Sequence, residues 1–265
     1  MDSTDYTGLE VFIKRIKENT GYDFSGYKEK PLKRRIRVIL RKHKLNNVKE
    51  LLNYFYLHPD EYSEIVKIIT INVTEFFRNS KVFAKIEELI IGDLPQGYRY
   101  NILSAGCATG EESYSIAMII EYIKRSYNIT YKITAIDIDK EAIERAQMAI
   151  YPIEEYKSIP DKYKQYVSIN DKTFTINDSI KQNVNIVTIN LHDIDFLFDS
   201  KFNIIICRNV FIYFNKEFQN KIVSKFYNLL ETDGHLILGK VETLSSYMKD
   251  KFDLIDLTNR IYKKI

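Results

Sequence analysis

The stretch ILSAGCATGEESYS, residues 102–115, runs from apolar residues through Gly106 and Gly110 into two acids that head a helical pattern. A β-rich run that turns through glycines into a helix opens an α/β unit. The parallel sheet of such a fold takes its ligand beyond the carboxyl ends of the strands. Gly106 to Glu112 therefore lies where a ligand is expected. A phosphate-gripping loop would end in Gly-Lys-Ser/Thr, but Gly110 is followed by Glu111. A G-x-G-x-x-G fingerprint is absent too, since three residues separate the glycines. Either phosphate reading also sets a carboxylate against a polyanion. The acid instead suits a ligand with positive charge, such as S-adenosylmethionine with its sulfonium and ammonium. On that reading the glycines open the turn to a close ligand.

The neighbouring rhythm agrees. YNILSA, YKITAID, NVNIVTIN, FNIIICRN and GHLILG alternate with the helical stretches ESYSIAMIIEYIKR, DKEAIERAQMAI and KEFQNKIVSKFYNLLE. This alternation predicts an α/β fold, a doubly wound parallel sheet covered on both faces. FDLIDLTN and RIYKKI, joined at an Asn-Arg turn, predict a terminal antiparallel pair. YKITAIDID puts Asp137 and Asp139 at the end of the second strand, where a carboxylate suits ribose hydroxyls. The competing role is capping the next helix, for which Asp139 is the better placed.

Residues 1–90 read as a small helical N-terminal domain, 91–99 (IGDLPQGYR) as a linker and 100–265 as the α/β domain. Residues 151–183 interrupt the alternation, and QYVSI and TFTIN predict a small antiparallel β-subdomain inserted there. In the helical part, Leu32, Ile36, Ile39, Leu40 and His43 fall on one helical face. Lys33, Arg34, Arg37, Arg41 and Lys44 fall on the other. From Lys28 to Lys44 nine Lys/Arg face one acid, Glu29. Such a stripe is either a solvated surface or a docking face for an acidic partner.

At 265 residues the chain can bury one substantial core plus an accessory domain. A net charge of +3 is too small to select a partner. No run approaches the roughly 20 apolar residues of a membrane span. MDSTDYTGLE carries acid where a signal peptide is basic, so a cytoplasmic protein without membrane insertion is expected. Cys107 and Cys207 make no disulfide framework. His43, His58, His192 and His235 show no metal-ligand spacing, and no metal is expected. A monomer is expected.

Five stretches occur in order: NVTEFFRNS (72–80), AGCATGEESYSIA (105–117), IDID (136–139), INL (189–191) and CRNVFIYF (207–214). Together they resemble the CheR family of chemotaxis-receptor glutamate methyltransferases, across nearly the whole chain. The pairing of N-x-T-x-F-F-R with C-R-N-V-x-I-Y-F is the specific part. The resemblance implies a Rossmann-like S-adenosylmethionine-dependent fold. It also implies methyl transfer to glutamate side chains on the helical cytoplasmic region of chemoreceptors.

By position, the resemblance implies cofactor contacts from Asn72, Thr74, Arg78, Glu112, Asp137, Asn190, Leu191, Cys207 and Arg208. It places Arg78 and Tyr213 near the reacting centre. For Phe76 and Phe77 the competing role is core packing, and for Asn209 a strand-end turn. The basic stripe of Lys33, Arg34, Arg37, Arg41 and Lys44 then suits steering toward glutamate-rich receptor helices. The chain departs from the family pattern at Asn203, where an Asp is usual, and at GKVE (239–242), where many members have Gly-x-Ser-Glu. SINDKTFT (168–175) lacks the glycine of relatives that dock a receptor tail, so tail docking is not expected. Two alternatives stay open: an RNA methyltransferase, although no aromatic-basic interleaving favours nucleic acid, and a non-catalytic cofactor-sensing adaptor.

Overall fold

The computed structural model of the chain describes residues 4–70, 72–92, 98–196 and 201–265. The chain divides into two compact units, Met1–Ile71 with Phe211–Gln219, and Asn72–Val210 with Asn220–Ile265. In the first unit, apolar stripes fold four helices onto one core. α1 (Leu9–Thr20) stops at Gly21, whose φ of 77° is the left-handed C-cap that glycine adopts without penalty. α2 (Glu29–Lys42) carries Pro31 in its first turn, where no intrahelical N–H is required, and buries Leu32, Ile36, Ile39 and Leu40. α3 (Val48–Leu57) is capped by the Asn47 side chain, which accepts from Glu50 N at 2.9 Å. α4 (Tyr62–Ile69) completes the core around Phe12, Ile16, Leu51 and Phe55, each fully buried. Truncating one such phenylalanine to alanine costs about 3–5 kcal/mol.

Phe211–Gln219 joins this unit through aromatic packing. The Tyr27 ring stacks on Tyr213 at 6.3 Å and meets Phe214 edge-on at 5.2 Å. Gly26 lies so close to Phe218 that a Cβ there would come within 2.5 Å of its ring. Lys28 N donates to Tyr213 O (2.7 Å) and Asn215 N to Gly26 O (2.8 Å). The α/β domain expected over 100–265 thus gives up these nine residues to the helical unit.

In the second unit, α5 (Ser80–Gly92) buries Val82, Phe83, Ile86 and Ile90 in the same core as Ile116, Ile119 and Ile120 of the helix that follows the glycine turn. The division at 71/72 therefore falls well before the expected boundary at 90, because the apolar face of α5 belongs to the α/β core. Of the expected linker, residues 93–97 lie outside the described residues; Ile91 and Gly92 end α5 and Arg99 opens a strand. The remaining elements are β1 (Arg99–Ala105), α6 (Glu111–Ile123), β2 (Thr130–Asp137), α7 (Lys140–Met148), β3 (Ile150–Pro152), β4 (Val167–Ile169), β5 (Thr173–Ile176), α8 (Asp178–Lys181), β6 (Val184–Thr188), β7 (Phe202–Cys207), α9 (Lys216–Leu229), β8 (Leu230–Leu238), β9 (Phe252–Asp256) and β10 (Ile261–Lys264).

Seven strands form one sheet in the order β6-β2-β1-β7-β8-β10-β9. The first five run parallel, and β10 is antiparallel to both β8 and β9, the terminal pair expected from sequence. Ile102 at the centre aligns with Ile133 on one side and Ile204 on the other. Strand order reverses between β1 and β7, so the crevice beyond their carboxyl ends is the binding position for this topology. β3, β5 and β4 form a separate antiparallel sheet in that order, the inserted subdomain, and β4 and β5 join through a tight turn at Asn170. α8 was not foreseen. Among the described residues no helix is long and apolar enough to cross a membrane.

Candidate active site

The glycine turn is built against protein neighbours. A Cβ on Gly106 would come within 2.4 Å of Val210 Cγ2. One on Gly110 would lie 3.0 Å from Ala146 and 3.1 Å from the Tyr151 hydroxyl. With φ of 81° and 96°, both take conformations that L side chains rarely adopt. Where a side chain would project from them, Val210, Ala146 and Tyr151 already pack against the turn, so protein neighbours by themselves require glycine at both positions. Between them Ala108 has φ 48°, and in the N-terminal motif Phe77 has φ 52°. A left-handed non-glycine residue costs about 1–2 kcal/mol. Here local bonds hold both. Ala108 N donates to Asp137 Oδ2 at 2.9 Å. Phe77 N donates to Ser115 Oγ at 3.0 Å, and its ring stacks on Tyr163 at 4.9 Å. Phe76 and Phe77 are both core residues.

The acids after the turn differ in fate. Glu112 Oε2 lies 3.2 Å from Arg208 Nη1, and its Oε1 accepts from Ser104 Oγ at 3.0 Å. Burial raises the Glu112 carboxyl, and the Arg208 charge opposes the rise. Both side chains are nearly enclosed, so removing either partner costs about 3–5 kcal/mol. Arg208 also donates from Nη2 to Arg78 O at 2.8 Å and lies 5.5 Å from the Phe83 ring centre. One guanidinium thus joins the end of β7, the head of α6 and the NVTEFFRNS motif. Glu111 is 4% exposed and accepts from Thr109 Oγ1 at 2.7 Å. Burial pushes its carboxyl up to about 7, with the Thr109 hydroxyl opposing.

Asp137 stands apart. Its oxygens accept from Ala108 N and Asp139 N, each at 2.9 Å. Burial raises its carboxyl against those two amides, and among the described residues no cation is paired with it. Asp139, as expected, caps α7 by accepting from Glu141 N and Ala142 N. It also accepts from Asn72 Nδ2 at 2.7 Å, which ties the N-terminal motif to the end of β2. The acidic excess at this turn is therefore smaller than the sequence implies: Arg208 answers Glu112, and burial draws Glu111 toward neutrality. What persists is a braced carboxylate at the end of β2, a hydrogen-bond acceptor that fits ribose hydroxyls and a cationic ligand.

The family comparisons agree with this geometry. Residues 72–261 match the family described as CheR methyltransferase, SAM binding domain, and residues 7–70 match CheR methyltransferase, all-alpha domain. The chain belongs to the CheR methyltransferase family. It is an S-adenosylmethionine-dependent methyltransferase. A chemotaxis protein methyltransferase of Borreliella burgdorferi is 32% identical over 89% of this chain and 88% of its own. The putative methyltransferase Cher3 of Pseudomonas putida is 28% identical over the full length of both. A chemotaxis protein methyltransferase of Listeria monocytogenes is 29% identical over 96% of this chain and 95% of its own.

Of the CheR positions singled out from sequence, Asn72 and Asp137 lie in one hydrogen-bonded cluster of the second unit with Asp139 and Ala108, and Glu112, Arg208 and Arg78 lie in another with Ser104. Thr74 is hydrogen-bonded to Glu111. Asn190 folds back to accept from His192 N at 2.9 Å, and Leu191 is buried beside it in sequence. Cys207 is fully buried, which holds its thiol well above the usual range. Tyr213 belongs to the helical unit, so the CRNVFIYF motif is shared between the two units.

Sequence reasoning passed over Glu242 as a working residue. It is buried, and its Oε2 accepts from Gly239 N (2.6 Å) and Asn209 N (3.0 Å), which fixes the residue that follows Arg208. Asn209 sits at φ 63°, the turn conformation weighed for it. The acid three residues beyond Gly239 was the available signal. Asn203 bridges β7 to β1, accepting from Asn101 N at 2.8 Å and donating to the Tyr98 hydroxyl at 2.7 Å.

Within the helical unit, Arg34, Arg41 and Lys44 of the basic stripe are exposed. Lys33 is paired with Glu29 and lies over the Tyr6 ring, and Arg37 donates to the Tyr6 hydroxyl at 3.1 Å. The stripe is thus narrower than its sequence. Lys44 lies just beyond α2. His43, Glu61 and Glu64 converge to within 4.8 Å of one another, a grouping invisible in their spacing, and Lys42 already pairs with Glu64.

Proposed function

We propose that this chain transfers the methyl group of S-adenosylmethionine to glutamate side-chain carboxylates on the cytoplasmic helices of chemoreceptors. The products are methyl esters that serve adaptation in chemotaxis. The reading places the chain in the cytoplasm, acting as a monomer and without docking a receptor tail. One observation carries it: Asp137, a half-buried carboxylate at the end of β2 beside the switch point, braced by two backbone amides and paired with no cation among the described residues. In a family that methylates, that carboxylate is suited to hold the ribose of the donor. Glu112, Arg208, Asn72, Thr74, Asn190, Leu191 and Cys207 shape the rest of the cofactor site in this reading.

The cofactor, when bound, supplies a methyl carbon already activated by its sulfonium. The chain's own task is then to align an ionised acceptor and strip it of water. A glutamate carboxyl titrates at about 4.3, so at neutral pH it is the nucleophile without help from a base. This accounts for a site with no histidine dyad and with Cys207 held as a thiol by burial. Arg78 has a planar fork suited to carboxylates. Its Nη1 donates to Val73 O at 2.9 Å, which engages one of five donors. Arg78 and the Tyr213 hydroxyl are assigned to position the acceptor, since a tighter grip would blunt its nucleophilicity. The exposed Arg34, Arg41 and Lys44, with Lys33 and Arg37 beside them, steer the acidic partner.

Methyl-labelled cofactor, offered with receptor cytoplasmic fragments and in parallel with RNA, tests the reading. Label is expected in protein, labile to mild alkali as an ester, and mapped by mass spectrometry to glutamates. Alkali-stable label, or label in the RNA alone, would refute it.

A further inference from the structure

The same end of the sheet carries a second feature. Ser80 and Lys81 at the head of α5, Arg208 at the end of β7, Lys240 just beyond β8, and Thr258 and Asn259 in the β9–β10 turn line a cavity of about 230 Å³. Three of its lining residues are cations and none is a carboxylate. The Arg208 charge is answered by Glu112. Lys81 and Lys240 are exposed, and no ion pair involves either among the described residues. Asp256, two residues before Thr258, is occupied by Asn259, which donates to it from N (2.9 Å) and Nδ2 (2.8 Å).

The head of α5 adds to the positive potential. Val82 N turns back to Asn79 O at 2.9 Å, and Ser80 and Lys81 open the first turn, where amide N–H groups have no intrahelical partner. Thirteen residues of helix end there at the positive pole of the macrodipole. Lys240 comes from the GKVE turn, the departure from family pattern that the reaction itself does not use. Glu242 of that turn points its carboxylate at Gly239 N and Asn209 N, and Lys240 stays exposed.

We propose that this cavity is an anion subsite that holds a second, unreacting carboxylate of the acceptor protein. The inference rests on the proposed reaction, whose partner presents glutamates along a helix. Glutamates three or four residues apart on a helix lie about 5–6 Å from one another, so an acceptor glutamate brings acidic neighbours with it. Arg208 joins the subsite to the network of Glu112 and Arg78, and substrates with a flanking acid are favoured through it.

The test titrates the full chain, labelled with nitrogen-15, with glutarate at constant ionic strength, alongside chloride and inorganic phosphate. Saturable shifts of the Ser80, Lys81 and Lys240 amides are expected with glutarate, and not with chloride. In the Lys81→Ala/Lys240→Ala double variant, both sites being exposed, the dissociation constant rises about tenfold or more. The same variant raises KM for a receptor fragment and leaves kcat and cofactor affinity unchanged. Absence of saturable shifts, or shifts indifferent to the double substitution, overturns the subsite. Tighter binding of phosphate than of glutarate overturns the carboxylate assignment. Because the titration needs no turnover, glutarate binding without methyl transfer would sink the proposed reaction and leave the anion site standing.

Discussion

Glu111→Gln is expected to stabilise this protein, and by more at neutral pH than in mild acid. The carboxyl is 4% exposed, hydrogen-bonded to Thr109 and Thr74, and near the negative Glu155. Burial pushes it to about 7 from the ordinary 4.5. The folded state therefore holds a proton across the window in which the unfolded chain has released it. Stability from this group is full below pH about 4.5 and falls as pH rises to about 7. A shift of this size, at about 1.4 kcal/mol per unit, amounts to about 3 kcal/mol at pH 7.5 and about 1 kcal/mol at pH 5. Glutamine keeps an acceptor for Thr109 and cannot ionise. Urea unfolding of wild type and variant, at pH 5 and pH 7.5, should show the variant gaining about 2 kcal/mol more at the higher pH. A difference that does not change with pH would refute a proton held on Glu111. A variant relatively weaker at pH 7.5 would reverse the assigned sign.

The other expectations concern the site and its partner. Asp137→Ala removes the acceptor for Ala108 N and should weaken S-adenosylmethionine binding by about tenfold or more by calorimetry; unchanged affinity takes Asp137 out of the site. Arg78→Ala should cut turnover by about 100-fold with the circular-dichroism spectrum kept, and near-normal turnover refutes its positioning role. Arg34→Glu with Arg41→Glu, both exposed, should slow methylation of a receptor fragment and flatten its dependence on salt. If rate and salt slope stay as they were, the stripe is a solvated surface.

Much of the fold could be read directly from the chain because the responsible patterns are local. Five apolar runs separated by helical periods call for a parallel sheet. FDLIDLTN with RIYKKI calls for the antiparallel pair at its edge, and Asp139 before KEAIERA calls for a cap. Each depends on residues within a few positions of one another, and each appears where expected. The compact units divide at 71/72 rather than near residue 90 for the complementary reason. The stripe of Val82, Phe83, Ile86 and Ile90 announces a helix and says nothing about which core will bury it.

The glycine turn divides in the same way. That Gly106 and Gly110 take left-handed backbone, and that acids follow them, is written in ILSAGCATGEESYS. That Val210 and Tyr151 crowd the glycines, that Arg208 neutralises Glu112 from 96 residues away, and that Glu242 secures Asn209, is not. By itself the sequence determined the kind of fold, the place of the binding crevice and the family. Tertiary structure alone decided which carboxyl there is paired with a cation, which is buried and which is braced by backbone amides. Burial and pairing depend on neighbours distant in the chain, and a carboxyl's charge is set by what surrounds it rather than by what precedes it.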